Sequence, residues 1–373
     1  MSVSHYTPGA SATPGASAET ANAERDPLAL ASADCGRGHS CQFCPDEPTC
    51  TLDKPQHEKH LLESRLSGIG QILLVMANKG GVGKSTVSAN VAAGLAARGY
   101  RVGVADADIH GPNQSRFFGF AGERIRLGQA GLSPRAFNAE GIEHPIRVGS
   151  LAFMMETDDT PIVWRDPYKH DFMHHLIGSF DWGPLDFLVV DMPPGTGNEL
   201  ITLADMLEGQ EAAALLATTP QEMALMDSLK AVRFCRERGM PLLGAVENMS
   251  GVVCPHCQGE FHLFPREHLA TALAEHEVAS LAQIPLSPAL ASGSDSGRPI
   301  TVDAPDGTEA RAFAPVVDAC VEHARALFAD AAVASLDTLE EGAGSEFDAA
   351  LADLPAEQQE ELRGQLADLL RQS

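Results

Sequence analysis

The sequence is short of positive charge. Of its 373 residues, 26 are Lys or Arg and 51 are Asp or Glu, so the formal net charge is −25 at pH 7. No basic patch interrupts this acidic surplus. Nucleic acids and anionic membranes attract basic surfaces, and we therefore expect the protein to bind neither.

Long apolar runs are also lacking. No stretch reaches the roughly 18 consecutive apolar residues of a membrane-spanning helix. The first residues do not show the basic segment followed by an apolar one that is typical of a secretory signal. We expect a cytoplasmic protein that neither spans a membrane nor is secreted.

The cysteines occur in clusters. Six of the eight lie in two short stretches, which favours metal ligation over a disulfide framework. The remaining two, Cys235 and Cys320, lie singly in predicted helices, where a small apolar core residue is the simplest interpretation. This distribution of cysteines is typical of a protein in a reducing compartment.

A glycine-rich segment follows the apolar run at 72–76 and precedes an alanine-rich stretch. It consists of Lys79, Gly80, Gly81, Val82, Gly83, Lys84, Ser85 and Thr86. Such a turn between a strand and a helix cradles phosphates with its backbone N–H groups, while Lys84 reaches the β and γ oxygens and Ser85 can bind Mg²⁺. The general motif has glycine where Asn78 stands, and asparagine tolerates the left-handed backbone that glycine would adopt there.

Apolar strands alternate with helices through the middle of the chain. We predict strands at 72–76, 102–105, 187–190, 213–217 and 242–247, and helices that include 85–98 and 221–239. This order indicates an α/β fold with a doubly wound, mostly parallel sheet and helices on both faces. Asp106, Asp108, Asp191 and Asn248 end or follow predicted strands, at the edge where such sheets bind ligands.

Four regions are predicted along the chain. Residues 1–30 are expected to be a disordered tail, and 31–67 a cysteine-rich metal-binding segment with a linker. Residues 68–330 form the P-loop domain. Residues 331–373 form an acidic tail whose amphipathic helix, at 355–370, packs against the body or a partner, because its acidic face suits no anionic lipid.

The motifs together resemble a known group of ATPases. The run KGGVGKST resembles the deviant Walker A loop of the MinD/ParA/nitrogenase-iron-protein group. With the acid-ended strands, the run ENMSG and the following CPHC, residues 68 to about 300 look like the Mrp/ApbC/NBP branch, P-loop ATPases that carry iron–sulfur clusters. The resemblance implies a homodimer in which Lys79 crosses the interface to the partner's nucleotide.

The resemblance also implies roles at the nucleotide. ATP is favoured over GTP, although the pattern alone does not exclude GTP, and Asn248 is expected to read the adenine edge. Ser85 is expected to bind Mg²⁺ directly and Asp191 through a water. A simple structural turn remains the alternative for Asn248.

Hydrolysis needs a group that orients the attacking water. Asp108 is the chosen candidate and Asp106 its competitor, although either carboxylate could instead cap a helix or loop. Lys79 and Lys84 complete the predicted catalytic set. Gly195 lies where a sensor of the γ-phosphate is expected, and Asn198 replaces the aspartate that is usual in the family, which could slow hydrolysis.

Cys254 and Cys257 supply two thiolates, whereas a [4Fe–4S] cluster needs four. A symmetric dimer would bring two such pairs together, so we predict a cluster that bridges two copies. The alternative is tetrahedral zinc, completed by His256 or His262.

The N-terminal cysteines could form a site within one chain. The set is Cys35, Cys41, Cys44 and Cys50. It resembles the ferredoxin-like N-terminal cluster of the NBP subgroup, but its first gap is shorter, which leaves the role of Cys35 open. Zinc is again the alternative.

The function predicted from the sequence is that of an ATP-hydrolysing iron–sulfur cluster carrier. It would assemble a labile [4Fe–4S] cluster at a homodimer interface, with ATP and Mg²⁺ as cofactors, and transfer it to apo-proteins. Two alternatives stay open at this point, a ParA/MinD-like positioning ATPase and a nucleotide-gated electron-transfer protein. Iron content distinguishes the first and cluster stability the second.

Overall fold

The computed structural model describes residues 38, 40–128, 130–155, 166–195, 197–254, 256–257, 259–265 and 267–327. The predicted tails at 1–30 and 331–373, together with Cys35, lie outside the described residues. Within these ranges, no helix combines the length and apolar character needed to cross a membrane.

An eight-stranded sheet forms the centre of the fold, and two short hairpins accompany it. The strands are β1 (Ile69–Met76), β2 (Val102–Asp106), β3 (Arg126–Gly128), β4 (Gly131–Ser133), β5 (Arg135–Phe137), β6 (Ile146–Ser150), β7 (Leu185–Asp191), β8 (Ala212–Thr218), β9 (Leu242–Asn248), β10 (Val252–Val253), β11 (Glu260–Phe261) and β12 (Ser280–Ile284). The order in the large sheet is β12-β9-β8-β1-β7-β2-β6-β5. Its neighbours pair in parallel, apart from the antiparallel pair of β5 and β6.

The mostly parallel sheet was predicted, and the structure confirms it. The predicted strands correspond to β1, β2, β7, β8 and β9. These five strands are neighbours in the sheet, with β12 on one side of them and β6 and β5 on the other. The sequence analysis missed three strands of this sheet, β5, β6 and β12. Arg147 interrupts the apolar run of β6, and β12, at the sheet's edge, mixes polar and apolar residues.

Helices connect the strands and cover the sheet. They are α1 (Lys54–Leu66), α2 (Lys84–Ala96), α3 (Gln114–Phe117), α4 (Asp166–Gly178), α5 (Asn198–Met206), α6 (Glu222–Glu237), α7 (Glu267–Glu275), α8 (Pro288–Asp295) and α9 (Ile300–Asp303). Residues 308–327 are also helical. The helices predicted at 85–98 and 221–239 correspond to α2 and α6.

Each face of the sheet has its own apolar core. Leu73 and Val75 of β1 face one core, whereas Ile72 and Leu74 face the other, as expected from the two-residue period of a strand. The alanine-rich α2 lies close to the helix at 308–327, since a Cβ added at Gly94 would lie 2.7 Å from a methyl carbon of Val317. The sheet therefore lies between two layers, and the predicted motifs lie at its carboxyl edge.

Candidate phosphate-binding and thiolate site

The phosphate loop lies between the end of β1 and the start of α2. Gly81 and Gly83 have φ angles of +81° and +83°, in the left-handed region that favours glycine. A Cβ at Gly83 would also collide with the side-chain amide of Asn248. Asn78 does not use the left-handed backbone for which it was considered, and its amide instead donates to the Asp227 carbonyl on α6. The two glycines alone supply the turn's unusual backbone.

Lys84, the first residue of α2, is buried and lies between two carboxylates. Its Nζ is 2.6 Å from Oδ1 of Asp191 and 3.7 Å from Oδ2 of Asp108. Burial acts to lower the pKa of Lys84, but the nearby Asp191 and Asp108 carboxylates outweigh burial and raise that pKa. The lysine is therefore charged and directed toward the carboxyl edge of the sheet.

Asp191 ends β7 and is fully buried. Its Oδ1 also accepts a hydrogen bond from Ser88 Oγ at 2.9 Å, and its Oδ2 accepts one from Gln114 Nε2 at 2.8 Å. The carboxylate is therefore held by groups from α2 and α3. Its predicted role toward Mg²⁺ remains a prediction.

The two acids after β2 have different surroundings. Asp106 is fully buried, and its Oδ2 accepts hydrogen bonds from the Gln114 backbone N–H and from Ser150 Oγ, each at 2.9 Å. Burial and the neighbouring Asp191 charge raise the pKa of Asp106 to about 8. Asp106 thus joins β2, β6 and α3.

Asp108 lies nearer the surface and faces Lys84. Burial raises its pKa, while the Lys84 charge acts to lower it. Its Oδ1 accepts a hydrogen bond from the Gly111 backbone N–H at 3.2 Å, which fixes its direction. Of the two acids, Asp108 has the position that orienting a water requires, and its catalytic role stays a prediction.

Lys79, at the start of the loop, is half-buried and forms no ion pair with the described residues.

Ser85 and Thr86 follow Lys84 in the first turn of α2, and the Ser85 carbonyl accepts a hydrogen bond from Gln114 Nε2 at 3.1 Å. Asn248 ends β9, and its Nδ2 donates to the Val82 carbonyl at 2.8 Å. This bond uses one of the two amide hydrogens of Asn248. The predicted contact of Asn248 with adenine remains a prediction.

The loop after β7 leads into α5. Gly195 has a φ of +98°, and its N–H donates to the Ala77 carbonyl at 2.9 Å, whereas Thr196 lies outside the described residues. Asn198 is exposed at the start of α5. The next residue, Glu199, is buried and pairs with Lys169 of α4 at 2.9 Å, so the loop is connected to α4.

Cys254 and Cys257 lie in the hairpin of β10 and β11, which follows β9. The Cys254 N–H donates to the Gly259 carbonyl at 2.9 Å and closes the turn. Hydrogen bonds from the backbones of Cys257 and His256, and from the Cys257 thiol, lower the pKa of Cys254. Both side chains reach solvent. A thiol with a lowered pKa on an exposed turn is suited to binding a soft metal.

Neither histidine completes a metal site at this hairpin. In the described part of the chain, no group of three or more His, Cys, Asp or Glu side chains is arranged to hold a metal ion. The Nδ1 of His262 lies 2.9 Å from the Ser250 carbonyl and is engaged there. The structure therefore presents two cysteine thiols without a third ligand from the described residues.

Comparison with known proteins agrees with this arrangement. A family model for NUBPL iron-transfer P-loop NTPases (ParA) matches residues 68–321. The chain belongs to this family. The predicted family and its P-loop NTPase fold are therefore confirmed.

Named relatives and a solved structure support the same assignment. An "iron-sulfur cluster carrier protein" of Aquifex aeolicus is 40% identical over 249 residues, which cover 67% of this chain and 66% of that protein. A "cytosolic Fe-S cluster assembly factor Nubp1 homolog" of Drosophila willistoni is 36% identical over 292 residues, covering 75% and 93%. A nucleotide-binding protein from Archaeoglobus fulgidus, solved in complex with ADP, is 30% identical, with a TM-score of 0.56 and coverage of 65% and 92%.

The N-terminal cysteines precede the region that the family model matches. Cys41, Cys44 and Cys50 lie in and around two short 3₁₀ turns, Cys41–Phe43 and Glu47–Thr49, and are partly exposed. The turns dock on α1, where Oε1 of Glu58 accepts hydrogen bonds from the Cys41 N–H at 2.6 Å and from Ser40 Oγ at 2.9 Å. Metal binding by this set stays a prediction, and Cys35 lies outside the described residues.

Sequence reasoning missed the polar residues that support the site. Ser88, Gln114 and Ser150 hold the acidic side chains, and Lys169 holds Glu199. The one available signal was position, because Gln114 follows β2 closely in the same segment as Asp106. Cys235 and Cys320 are buried in the core, as predicted.

Proposed function

We propose that the protein is an ATP-hydrolysing iron–sulfur cluster carrier of the cytoplasm. It assembles a labile [4Fe–4S] cluster between the two copies of a homodimer and transfers that cluster to apo-proteins. The family assignment supports this proposal, as do the relatives named as a cluster carrier and as a cytosolic cluster assembly factor.

One structural observation supports the coupling of nucleotide and cluster. Asn248 contacts the phosphate loop at Val82, and the same chain segment continues into the hairpin of Cys254 and Cys257. Between them, the Ser250 N–H and Oγ both donate to the Ile284 carbonyl, which anchors the segment on β12. A shift of the phosphate loop on nucleotide binding can therefore reach the Cys254 and Cys257 thiols through this hydrogen bond and the short chain segment that follows Asn248.

The phosphate loop has room for the nucleotide. A Cβ built at Gly80 or Gly81 would meet nothing within 4 Å, so the outer side of the loop is open. Phosphate oxygens at this position would compete with Asp191 for Lys84, whose charge then balances the triphosphate. Ser85 and Asp191 would hold Mg²⁺, which neutralises negative charge on the phosphates.

Asp108, Lys79 and Gly195 have separate proposed roles in hydrolysis. Asp108 orients the attacking water, since it faces Lys84 and is fixed by the Gly111 N–H. Lys79 has no ion pair in the described part of the chain and is available to reach the nucleotide of the partner copy. Gly195 provides the backbone freedom that a phosphate-sensing loop needs.

Two copies complete the cluster site. Each provides Cys254 and Cys257, and four thiolates meet the requirement of a [4Fe–4S] cluster. The cluster is the cargo of the reaction, and the exposure of both thiols suits a site that must release it.

The test is anaerobic reconstitution followed by transfer to an apo-acceptor. The N-terminal cysteines Cys35, Cys41, Cys44 and Cys50 are first replaced by serine, so that iron reports on the hairpin alone. We expect a brown dimer with about two irons per chain, because one cluster is shared, whereas a cluster held within one chain would give about four.

The matched variants are Cys254→Ser with Cys257→Ser, and Cys235→Ala, which removes a buried thiol elsewhere. The double variant should lose iron and transfer while still binding ATP, and Cys235→Ala should keep all three. A colourless zinc-loaded protein, or transfer that survives the double substitution, would overturn the carrier function and favour a positioning ATPase.

A further inference from the structure

Gln114 has an unusual position in the nucleotide site. It is fully buried at the first position of α3 and forms three hydrogen bonds with groups of the site. Its backbone N–H donates to Asp106, while Nε2 donates to the Ser85 carbonyl at 3.1 Å and to Asp191 Oδ2 at 2.8 Å. The side-chain amide thus links the two residues that are proposed to hold Mg²⁺.

The orientation of this amide follows from its partners. Both partners of Nε2 are oxygen atoms without hydrogen, so the flipped amide would place oxygen against oxygen. The two hydrogens of Nε2 are fully used by these bonds. Oε1 therefore faces neither the Ser85 carbonyl oxygen nor Asp191 Oδ2 and is left to accept a hydrogen bond from another group.

Oε1 of Gln114 is buried and has no hydrogen-bond partner in the structure. Buried polar atoms are almost always satisfied, so this acceptor requires a donor such as a water molecule. Phosphates without protons cannot donate. Mg²⁺ keeps several of its waters when it binds a nucleotide, and a metal-bound water is a strong donor.

We propose that Gln114 Oε1 accepts a hydrogen bond from a water bound to the Mg²⁺ of the nucleotide. Gln114 is then a positioning residue, which holds Asp191 and the Ser85 backbone with its nitrogen and the hydrated ion with its oxygen. This inference rests on the proposed ATP-binding function. It adds a residue to the site that the phosphate-loop motif does not contain.

The test measures how strongly Mg²⁺ increases nucleotide affinity. The dissociation constant of ADP is measured by calorimetry on the full chain, once with Mg²⁺ and once with EDTA, and the ratio of the two values is compared between variants. Groups that contact a metal through a bound ligand typically change metal affinity roughly tenfold to a hundredfold. We expect Gln114→Met to reduce the ratio at least tenfold and to leave the affinity in EDTA within about threefold.

Ser88→Ala is the matched control. It also removes a hydrogen bond to Asp191, but Ser88 Oγ already donates to Asp191 and has no unsatisfied role toward a ligand. We expect Ser88→Ala to reduce the Mg²⁺ ratio less than Gln114→Met does, since Gln114 still holds the hydrated ion, and an equal reduction would overturn the role of Oε1.

Folding is checked by circular dichroism and thermal unfolding before binding is measured. If Gln114→Met does not fold, Gln114→Asn takes its place, because it keeps an amide in the pocket but withdraws the oxygen by one methylene. A wild-type ratio in the folded variant overturns the inference about Gln114 while the ATP-binding function stands. Failure of the wild type to bind ADP at all overturns both.

Discussion

At the scale of single residues, Lys84 and Asp191 form an ion pair that is shielded from water. Removing one partner of a buried pair leaves an uncompensated charge, which costs about 3–5 kcal/mol. We expect Lys84→Ala to lose nucleotide binding and to lower the free energy of unfolding by that amount. Urea denaturation and calorimetric titration with ATP measure the two effects.

Lys79→Ala is the control for this substitution. Lys79 has no ion pair among the described residues, so its removal should change the free energy of unfolding by no more than about 0.5 kcal/mol. It should nevertheless slow hydrolysis, since the proposal places its ammonium at the partner's nucleotide. Wild-type turnover in Lys79→Ala would contradict the role across the dimer.

The two acids after β2 should respond differently to loss of charge. Asp108→Asn is expected to keep nucleotide affinity and to reduce turnover roughly a hundredfold or more, because an amide orients the attacking water poorly. Asp106→Asn is expected to affect stability more than turnover, since Asp106 bonds to Gln114 and Ser150. The steady-state rate of ATP hydrolysis, measured for both variants, tests this assignment. The reverse pattern would mean that Asp106 orients the attacking water and Asp108 does not.

The raised pKa of Asp106 should also change how the free energy of unfolding depends on pH. Its pKa is raised from the ordinary value to about 8 in the folded protein. Between the two values the folded state binds the extra proton, so wild-type stability falls as the pH rises from about 4 toward 8. Asp106→Asn removes this contribution, and its free energy of unfolding relative to wild type should therefore increase across that window.

The matched control for the pH series is Asp186→Asn. Hydrogen bonds from Arg101 lower the pKa of Asp186, so its charge stabilises the folded state above the ordinary carboxyl pKa. The relative stability of this variant should thus fall as the pH rises toward the ordinary carboxyl pKa of about 4, and it should stay level above that pH, where the relative stability of Asp106→Asn increases. Urea unfolding without nucleotide measures both, and parallel curves for Asp106→Asn and wild type would contradict the raised pKa.

The sequence predicted the charged residues of the site but not the residues that hold them. Lys84 and Asp191 were found because their spacing from glycines or apolar strands has a known chemical meaning. Gln114 and Ser150 have no such local pattern. Their roles arise from contacts with Asp191 and Asp106 at distant sequence positions, which become visible only when the strands are arranged side by side.

At the scale of elements, the N-terminal turns are attached to the body by few contacts. Glu58 of α1 accepts hydrogen bonds from Ser40 and Cys41, and its replacement removes one acceptor from each of these donors. We expect Glu58→Ala to increase amide hydrogen exchange in residues 40–50 while α2 stays protected. Glu63→Ala on the same helix is the control and should change nothing there, because Glu63 is exposed and its one ion pair among the described residues is with Lys59 at 3.8 Å.

This comparison separates docking from metal binding. If Glu58→Ala exchanges like wild type, the cysteine segment is held by other contacts, such as the packing of Phe43 against His175 at a ring distance of 5.3 Å. Metal binding by the N-terminal cysteines is expected in monomer and dimer alike, because the four candidate ligands lie in one short segment of a single chain.

The elements themselves were predictable where their residues are uniform in character. The buried middle strands β1, β7 and β8 contain continuous apolar runs, which are typical of a parallel sheet covered on both faces. The hairpin of β10 and β11 was not predicted. Its strands have two residues each, and the turn between them is held by contacts such as the Cys254 N–H to the Gly259 carbonyl.

At the scale of the whole molecule, net charge opposes the proposed dimer. Each chain has a formal charge of −25, so two copies repel each other unless the interface is locally complementary. Raising the salt concentration from about 0.1 M to about 1 M shortens the screening length from about 10 Å to about 3 Å and weakens this repulsion. We therefore expect the dissociation constant of the cluster-loaded dimer, measured by sedimentation, to fall as salt increases.

Lys79 makes this prediction specific. If its ammonium crosses to the partner's phosphates, Lys79→Ala removes an attraction between opposite charges and should weaken the dimer at low salt more than at high salt, because screening reduces that attraction too. Wild type should still tighten with salt, since one lysine per copy is small beside the acidic surplus. A wild-type dimer that loosens as salt rises would instead mean that attraction between charges at the interface outweighs the repulsion of the whole chains.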